Sequence, residues 1–484
     1  MGKKKVKASI LQQKKLNLKP PVTRQTDRAV RSFDLFDTLL GRLHYHPHSI
    51  FDLVEKDYPF PGFVFFRMAA AYASNHTLPD IYHQFQRLTG ITDEQSVALM
   101  QFELETELSQ VFPIEENLAL VEDGDLIVSD TYYDEDQVKT IFKKIGLNQH
   151  IHLYATPFGK SSGTIWDLIK KKHIVSFHLG DSLHSDVEMP KSYAIMTSHY
   201  SNSQLSSAEQ AMMNLEQGEL ACLMRALRLQ NPYPHNSPEY LLWNEQSQLN
   251  VPLLIQASLY LNDFCQKHQK KRILFTSRDS CLWIQLFREL YPQYDSIYFH
   301  ASRYTYLFPT PSYIDYVRNI HTDDTVIVDS HGKGRSCQVF FNQHLKIQPT
   351  YLAIVNSGKK HHAILRKKHF FEEIEKINYD VSGALYDVRD GKPLRCEPEY
   401  SLQFIQPMHA CIEKCAKLIP HFTFQTFDKR VVKWATQSMA SGLAVERFIH
   451  HASYHCHIIE GDLLQHIHLR QPDNSQLRDC EIIK

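Results

Sequence analysis

Two separate stretches in which short apolar runs alternate with helix-spaced segments predict an α/β protein built on two parallel sheets. Three observations carry this expectation. The alternation fills residues 29–200. It starts afresh at Arg272. Its first run, residues 29–36, delivers Asp34 near the carboxyl end, with Asp37 and Thr38 directly after. Strands joined by helices of this length pair in parallel through right-handed crossovers. A carboxylate just past such a strand stands at the sheet rim, where ligands of α/β folds bind.

The elements follow in order. After Leu40 comes an insertion, about 41–120, with helical spacing in 50–54, 64–72 and 81–88. It holds eleven Asp/Glu against four Lys/Arg, so it reads as an acidic, mostly helical subdomain. Residues 126–128 are a predicted strand and 135–145 a helix stopped by Gly146. Strand 151–155, helix 162–172, strand 175–179 and strand 193–196 complete the first run. Polar residues 198–207 mark a boundary. Helices are predicted over 209–229 and 251–267, then strands at 273–275, 296–299, 325–328 and 351–355, and a mainly helical tail from Leu402. The domain plan is a basic arm 1–28, an α/β domain 29–200, a helical linker 201–270, a second α/β domain 271–400 and a helical segment 401–484.

Composition narrows the function classes. With 43% hydrophobic and 22% charged residues, the 484-residue chain matches ordinary globular proteins of two or three domains. A net charge of −1 gives no general pull toward nucleic acid or anionic membrane, so no specific nucleic-acid partner is expected. No apolar run reaches membrane-spanning length, and no signal peptide pattern opens the chain. Nine irregularly spaced cysteines, all beyond residue 221, predict free thiols and a cytoplasmic location. The first 24 residues carry eight Lys/Arg and no acid; this solvated arm is a candidate contact for a partner.

Four motifs fall at strand ends or helix starts around the first predicted sheet. They are Asp34-Leu-Phe-Asp-Thr38, Ser129 at the end of 126–131, Lys160 in Gly159-Lys-Ser-Ser162, and Gly180-Asp-Ser-Leu-His-Ser-Asp186. In this order they resemble the haloacid dehalogenase-like superfamily, over residues 29–200. The resemblance implies a Rossmann-like parallel sheet with a helical cap inserted after the first strand. It implies Asp34 as nucleophile and metal ligand, Asp181 and Asp186 as further ligands of Mg²⁺, Ser129 as a phosphoryl hydrogen-bond donor and Lys160 as charge compensator. A small phosphorylated molecule is the implied substrate. An anionic nucleophile attacking an anionic phosphate needs that neutralisation. In the resembled phosphatases a second Asp, two residues after the nucleophile, serves as acid/base. Here that position is Phe36, and Asp37 is the alternative acid.

The second half offers two strand-end motifs. Ser277-Arg-Asp279 follows one strand and resembles a motif of larger bacterial members that carry a second Rossmann-like domain. Asp329-Ser-His-Gly-Lys-Gly-Arg-Ser336 follows another. Asp329, Gly332, Lys333, Gly334, Arg335 and Ser336 there form a candidate phosphate cradle, against the plainer reading of a tight strand–helix turn. A His-rich stretch runs from His450 to His468 without a zinc-site spacing. The leading expectation is a Mg²⁺-dependent hydrolase acting through an aspartyl-phosphate on Asp34. Two alternatives stand beside it: a binding protein that keeps the fold without turnover, and transferase or nucleotide chemistry in the second domain.

Overall fold

The computed structural model describes residues 29–449 apart from 75, 359–360, 368–372, 399–400 and 425. The basic arm and the His-rich stretch lie outside the described residues.

The first sheet contains β1 (Val30–Phe33), β4 (Leu126–Asp130), β5 (His152–Thr156), β6 (Val175–Gly180) and β7 (Met196–His199). Its order is β5-β4-β1-β6-β7, all parallel. The central strand is the one that ends at Asp34. Between β1 and β4 the chain forms a short antiparallel ribbon, β2 (Leu40–Arg42) with β3 (Val111–Pro113). Mounted on this ribbon are four helices: α1 (Ser49–Asp57), α2 (Phe63–Tyr72), α3 (Leu78–Thr89) and α4 (Asp93–Gln110). The ribbon and the long α4 are additions to the helices expected from spacing.

Local sequence explains the crossovers. Helix α5 (Glu135–Ile145) opens with a capping box between Asp134 and Gln137 and closes on Gly146 at φ 78°. It buries Val138, Ile141, Phe142 and Ile145, a one-face stripe, each side chain contributing about 1.5–3 kcal/mol of burial. Helix α6 (Thr164–Lys172) follows β5. The last strand begins at Met196 rather than Tyr193, because Ala194 takes a left-handed turn at φ 61°. The helix expected over 209–229 is broken by Glu216 at φ 63° into Ser207–Asn214 and α7 (Gly218–Leu229).

Helices α7 and α8 (Val251–Lys267) are buried nearly all round. One contiguous apolar core runs from Phe33 through Leu223, Leu227 and Leu254 to Val326 and Val328 of the second sheet.

That sheet contains β8 (Arg272–Thr276), β9 (Asp295–Phe299), β10 (Thr325–His331), β11 (Tyr351–Asn356) and β12 (His362–Arg366). The order is β12-β11-β10-β8-β9, again all parallel. Helix α9 (Cys281–Leu290) follows β8, α10 (Arg335–Phe340) follows β10, and α11 (Glu373–Lys376) packs near the end of β10. A hairpin of β13 (Leu385–Arg389) and β14 (Lys392–Arg395) turns through Asp390-Gly391, both at positive φ, as a two-residue hairpin loop requires. Helices α12 (Leu402–Leu418) and α13 (Lys429–Met439) cover the core near the chain's end. The seven described cysteines are free thiols.

Candidate functional site

Asp34 is fixed at the first sheet's carboxyl edge by its own backbone: its N–H donates to Leu179 O of β6 at 2.8 Å. That bond ties the end of β1 to the loop carrying Asp181 and Asp186. The next turn is tight, with Leu39 N–H and Leu40 N–H both reaching back to Leu35 O. Thr38 Oγ1 donates to Asp34 Oδ2 at 3.2 Å.

The first sheet's predicted residues converge. Lys160 Nζ donates to Asp34 Oδ1 and lies 2.8 Å from Asp186 Oδ1. Carboxylate oxygens of Asp34, Asp181 and Asp186 lie within 4.8 Å of one another. Ser129 sits buried one residue before the end of β4, the strand beside β1. Asp34 and Lys160 are each 4% exposed and Asp186 is fully buried, so the constellation sits in a low-dielectric recess. Asp181, half-buried, is its most open member.

Several supports were not read from the sequence. Asp130 accepts from the N–H groups of Lys160 (2.7 Å) and Ser161 (2.9 Å), so the end of β4 shapes the lysine loop. His178 stands in β6 between Phe177 and Leu179. It bridges Ser32 Oγ (2.8 Å at Nδ1) and Asp186 Oδ1 (2.9 Å at Nε2). Burial holds the His178 ring below its ordinary pKa, hence neutral, and a neutral ring facing a carboxylate carries its proton on Nε2. Ser182 N–H donates to Asp186 Oδ2 at 2.9 Å. An ionisable residue inside a mainly apolar strand was the one available signal for His178.

Electrostatics separates the three acids. Burial, then the neighbouring Asp186 and Asp181 charges, raises the Asp34 carboxyl well above the usual range, although Lys160 opposes them. Burial, Asp37 and Asp186 push Asp181 up to about 6. Asp186 works against its own burial: His178 and Lys160 hold it at about 2. Lys160 is raised against burial by Asp34 and Asp186 and stays protonated.

The position two residues after Asp34 holds no acid. Phe36 lies under the Arg42 guanidinium, 4.1 Å from ring centre to Cζ. Arg42 is in turn bonded to the buried Glu107 at 2.7 Å, and Tyr133 donates to the same carboxylate. Asp37 turns through φ 56° and accepts a 2.6 Å bond from Arg225 of α7. Arg225 is fully buried and also donates to Ser203 O and Arg42 O. This pair ties the Asp37 side chain to α7.

In the second sheet, Asp329 lies within β10, while Gly332, Lys333 and Gly334 form the turn into α10 and Arg335 and Ser336 open that helix. A Cβ on Gly334 would meet the Tyr351 ring at 2.8 Å, and one on Gly332 would meet the Tyr351 hydroxyl at 3.1 Å. Packing over Tyr351 therefore accounts for both glycines. Glu375, not singled out as a site residue, meets His331 Nδ1 at the end of β10 at 3.2 Å. Among the described residues, no helix is long and apolar enough to cross a membrane. No protein-family model and no curated protein matches this chain.

Proposed function

We propose that the chain is a haloacid dehalogenase-like, Mg²⁺-dependent phosphoryl hydrolase in which Asp34 is the nucleophile. The observation that carries the reading is the convergence of Asp34, Lys160, Asp181 and Asp186 beyond the carboxyl ends of parallel strands of one sheet. Three carboxyl groups stand beside one lysine, and the donor set they offer is oxygen only. This fits a hard divalent cation, held by Asp34, Asp181 and Asp186. When bound, Mg²⁺ supplies charge neutralisation for the phosphoryl oxygens.

The chain's own groups do the rest. Lys160 lowers the cost of bringing an anionic phosphoryl group to Asp34. Thr38 holds Asp34 Oδ2, and Ser129 offers a hydroxyl to a phosphoryl oxygen. The ribbon and helices α1–α4 rise directly after the nucleophile strand, as a lid that excludes water would. With Phe36 at the acid position and Asp37 tied to Arg225, no carboxylic acid at this strand end protonates a leaving group. The reading therefore specifies a substrate with a good leaving group: an acyl phosphate, a phosphoanhydride or an aryl phosphate.

Turnover of aryl and alkyl phosphates with Mg²⁺ tests this. The aryl ester is cleaved, the alkyl ester about 10²–10⁴-fold more slowly, and Asp34→Asn reduces the aryl rate to background. An Asp34→Asn variant with wild-type turnover contradicts the reading. The pinned Asp37 and Phe36 also favour a second reading, a protein of this fold that binds a phosphorylated ligand without turnover. Ligand-induced stabilisation without product from any of these esters is its signature.

A further inference from the structure

The two loops that bring Lys160 and Asp181 to Asp34 each hold a large apolar side chain out in solvent. Phe158, two residues before Lys160, is 54% exposed, and Leu183, two residues after Asp181, is 60% exposed. A charged recess flanked by apolar side chains has the make-up of a small-molecule site, in which a few polar groups orient a ligand that apolar walls cover.

Hydrogen bonds fix where these loops stand. Asp130, at the end of β4, accepts from the N–H groups of Lys160 and Ser161. The turn from Phe158 to Ser162, closed by Ser162 N–H to Phe158 O at 3.1 Å, therefore lies against the carboxyl end of β4, the neighbour of β1. His184 Nε2 donates to Ser161 O at 3.1 Å and joins this turn to the loop of Asp181 and Leu183.

The helical insertion meets the same edge. Leu78 N–H donates to Tyr132 O at 2.8 Å, two residues past Asp130. His76, just before it, takes φ 67°, a left-handed conformation uncommon outside glycine. Its ring stands nearly perpendicular to that of Phe158, with centres 4.5 Å apart. Phe158 thus faces the insertion across the carboxyl edge of the sheet.

We propose that Phe158 and Leu183, with His76 from the insertion, form a leaving-group subsite, and that the substrate is an aryl phosphate monoester. This rests on the reading of Asp34 as phosphoryl acceptor. The phosphoryl group occupies the charged recess, and the uncharged ring covers Phe158. As the bond from an Asp34 oxygen to phosphorus forms, the bond from phosphorus to the aryl oxygen breaks. The electron pair leaves on a phenolate, which needs no proton from the strand end that Phe36 and the tied Asp37 leave without an acid. Water then hydrolyses the aspartyl-phosphate. A phosphoanhydride would carry its second phosphate toward an insertion with eleven Asp/Glu against four Lys/Arg. A short acyl phosphate would leave both apolar side chains uncovered.

The test uses the full chain with Mg²⁺ and two phosphonates that cannot be hydrolysed, phenylphosphonate and methylphosphonate, by isothermal titration calorimetry. Wild type is expected to bind the phenyl compound about tenfold more tightly. Phe158→Ala is expected to cut that preference to about twofold or less, and Phe158→Trp to keep it. A variant that merely disturbs the lysine loop weakens both ligands and preserves their ratio. The proposal is overturned if wild type binds both equally or neither, or if Phe158→Ala retains the preference. Turnover of 4-nitrophenyl phosphate separates the two claims: a chain that prefers phenylphosphonate through Phe158 but releases no nitrophenol keeps the subsite and loses the hydrolase reading.

Discussion

Gly180 leaves no room for a methyl group. A Cβ there would lie 2.3 Å from the Asp186 Cγ, although the backbone at Gly180 needs no left-handed conformation. The residue is glycine because Asp186 must fold back over it to meet Lys160, His178 and the Ser182 N–H. Gly180→Ala is expected to displace Asp186, at an overpacking cost of about 1–3 kcal/mol. Melting curves check this: the variant folds but loses the Mg²⁺-dependent stabilisation of the wild type. At this scale the Gly-Asp-x-x-x-x-Asp spacing was legible in the sequence, because its members are neighbours in the chain. The partners that tune it were not. Arg225 lies 188 positions from Asp37 and His178 lies 146 from Ser32, so only the folded chain brings them together.

The helical insertion after β1 shows how an element can hide from its own sequence. Helix α4 buries Glu103, Glu107 and Gln110 alongside Leu99 and Leu104. Its inward face therefore lacks the continuous apolar stripe that betrays a helix. Those acids are satisfied from elsewhere: Arg67 of α2 makes two bonds to Glu103 (2.7 and 2.8 Å), and Arg42 of β2 binds Glu107. Helix α5, with an unbroken stripe and both caps, was legible to the residue.

Near the chain's end, Glu245 accepts from the N–H groups of Ala444 and Val445, at the start of the Ala444–Ile449 helix. Burial raises this carboxyl from its ordinary 4.5 to about 7. A raised acid favours the folded state while it stays protonated. Its contribution is complete below pH 4.5 and is lost as pH rises through about 7. Glu245→Gln removes that loss, so the gap in melting temperature between variant and wild type widens in the variant's favour from pH 5 to pH 8. A gap independent of pH contradicts this.

Across the whole molecule, the two parallel sheets followed from the alternation of short apolar runs with helices, because fully buried strands are marked by continuous apolarity. The β12 strand and the β13–β14 hairpin were not read, since His362–Arg366 and Lys392–Arg395 mix charge with short apolar content. Each sheet presents its acidic residues at the carboxyl edge: Asp34, Asp181 and Asp186 on the first, Asp279 and Asp329 on the second. The central claim is that Asp34 is a phosphoryl acceptor working with a divalent cation. Thermal unfolding with Mg²⁺ and beryllium fluoride, a mimic of a carboxylate-bound phosphoryl group, tests it most directly. A ligand present at about 100 times its dissociation constant stabilises the folded state by about 2.7 kcal/mol. The account predicts a clear upward shift in wild type that requires both Mg²⁺ and fluoride and is absent in Asp34→Asn. No shift in wild type, or an equal shift in Asp34→Asn, would contradict it.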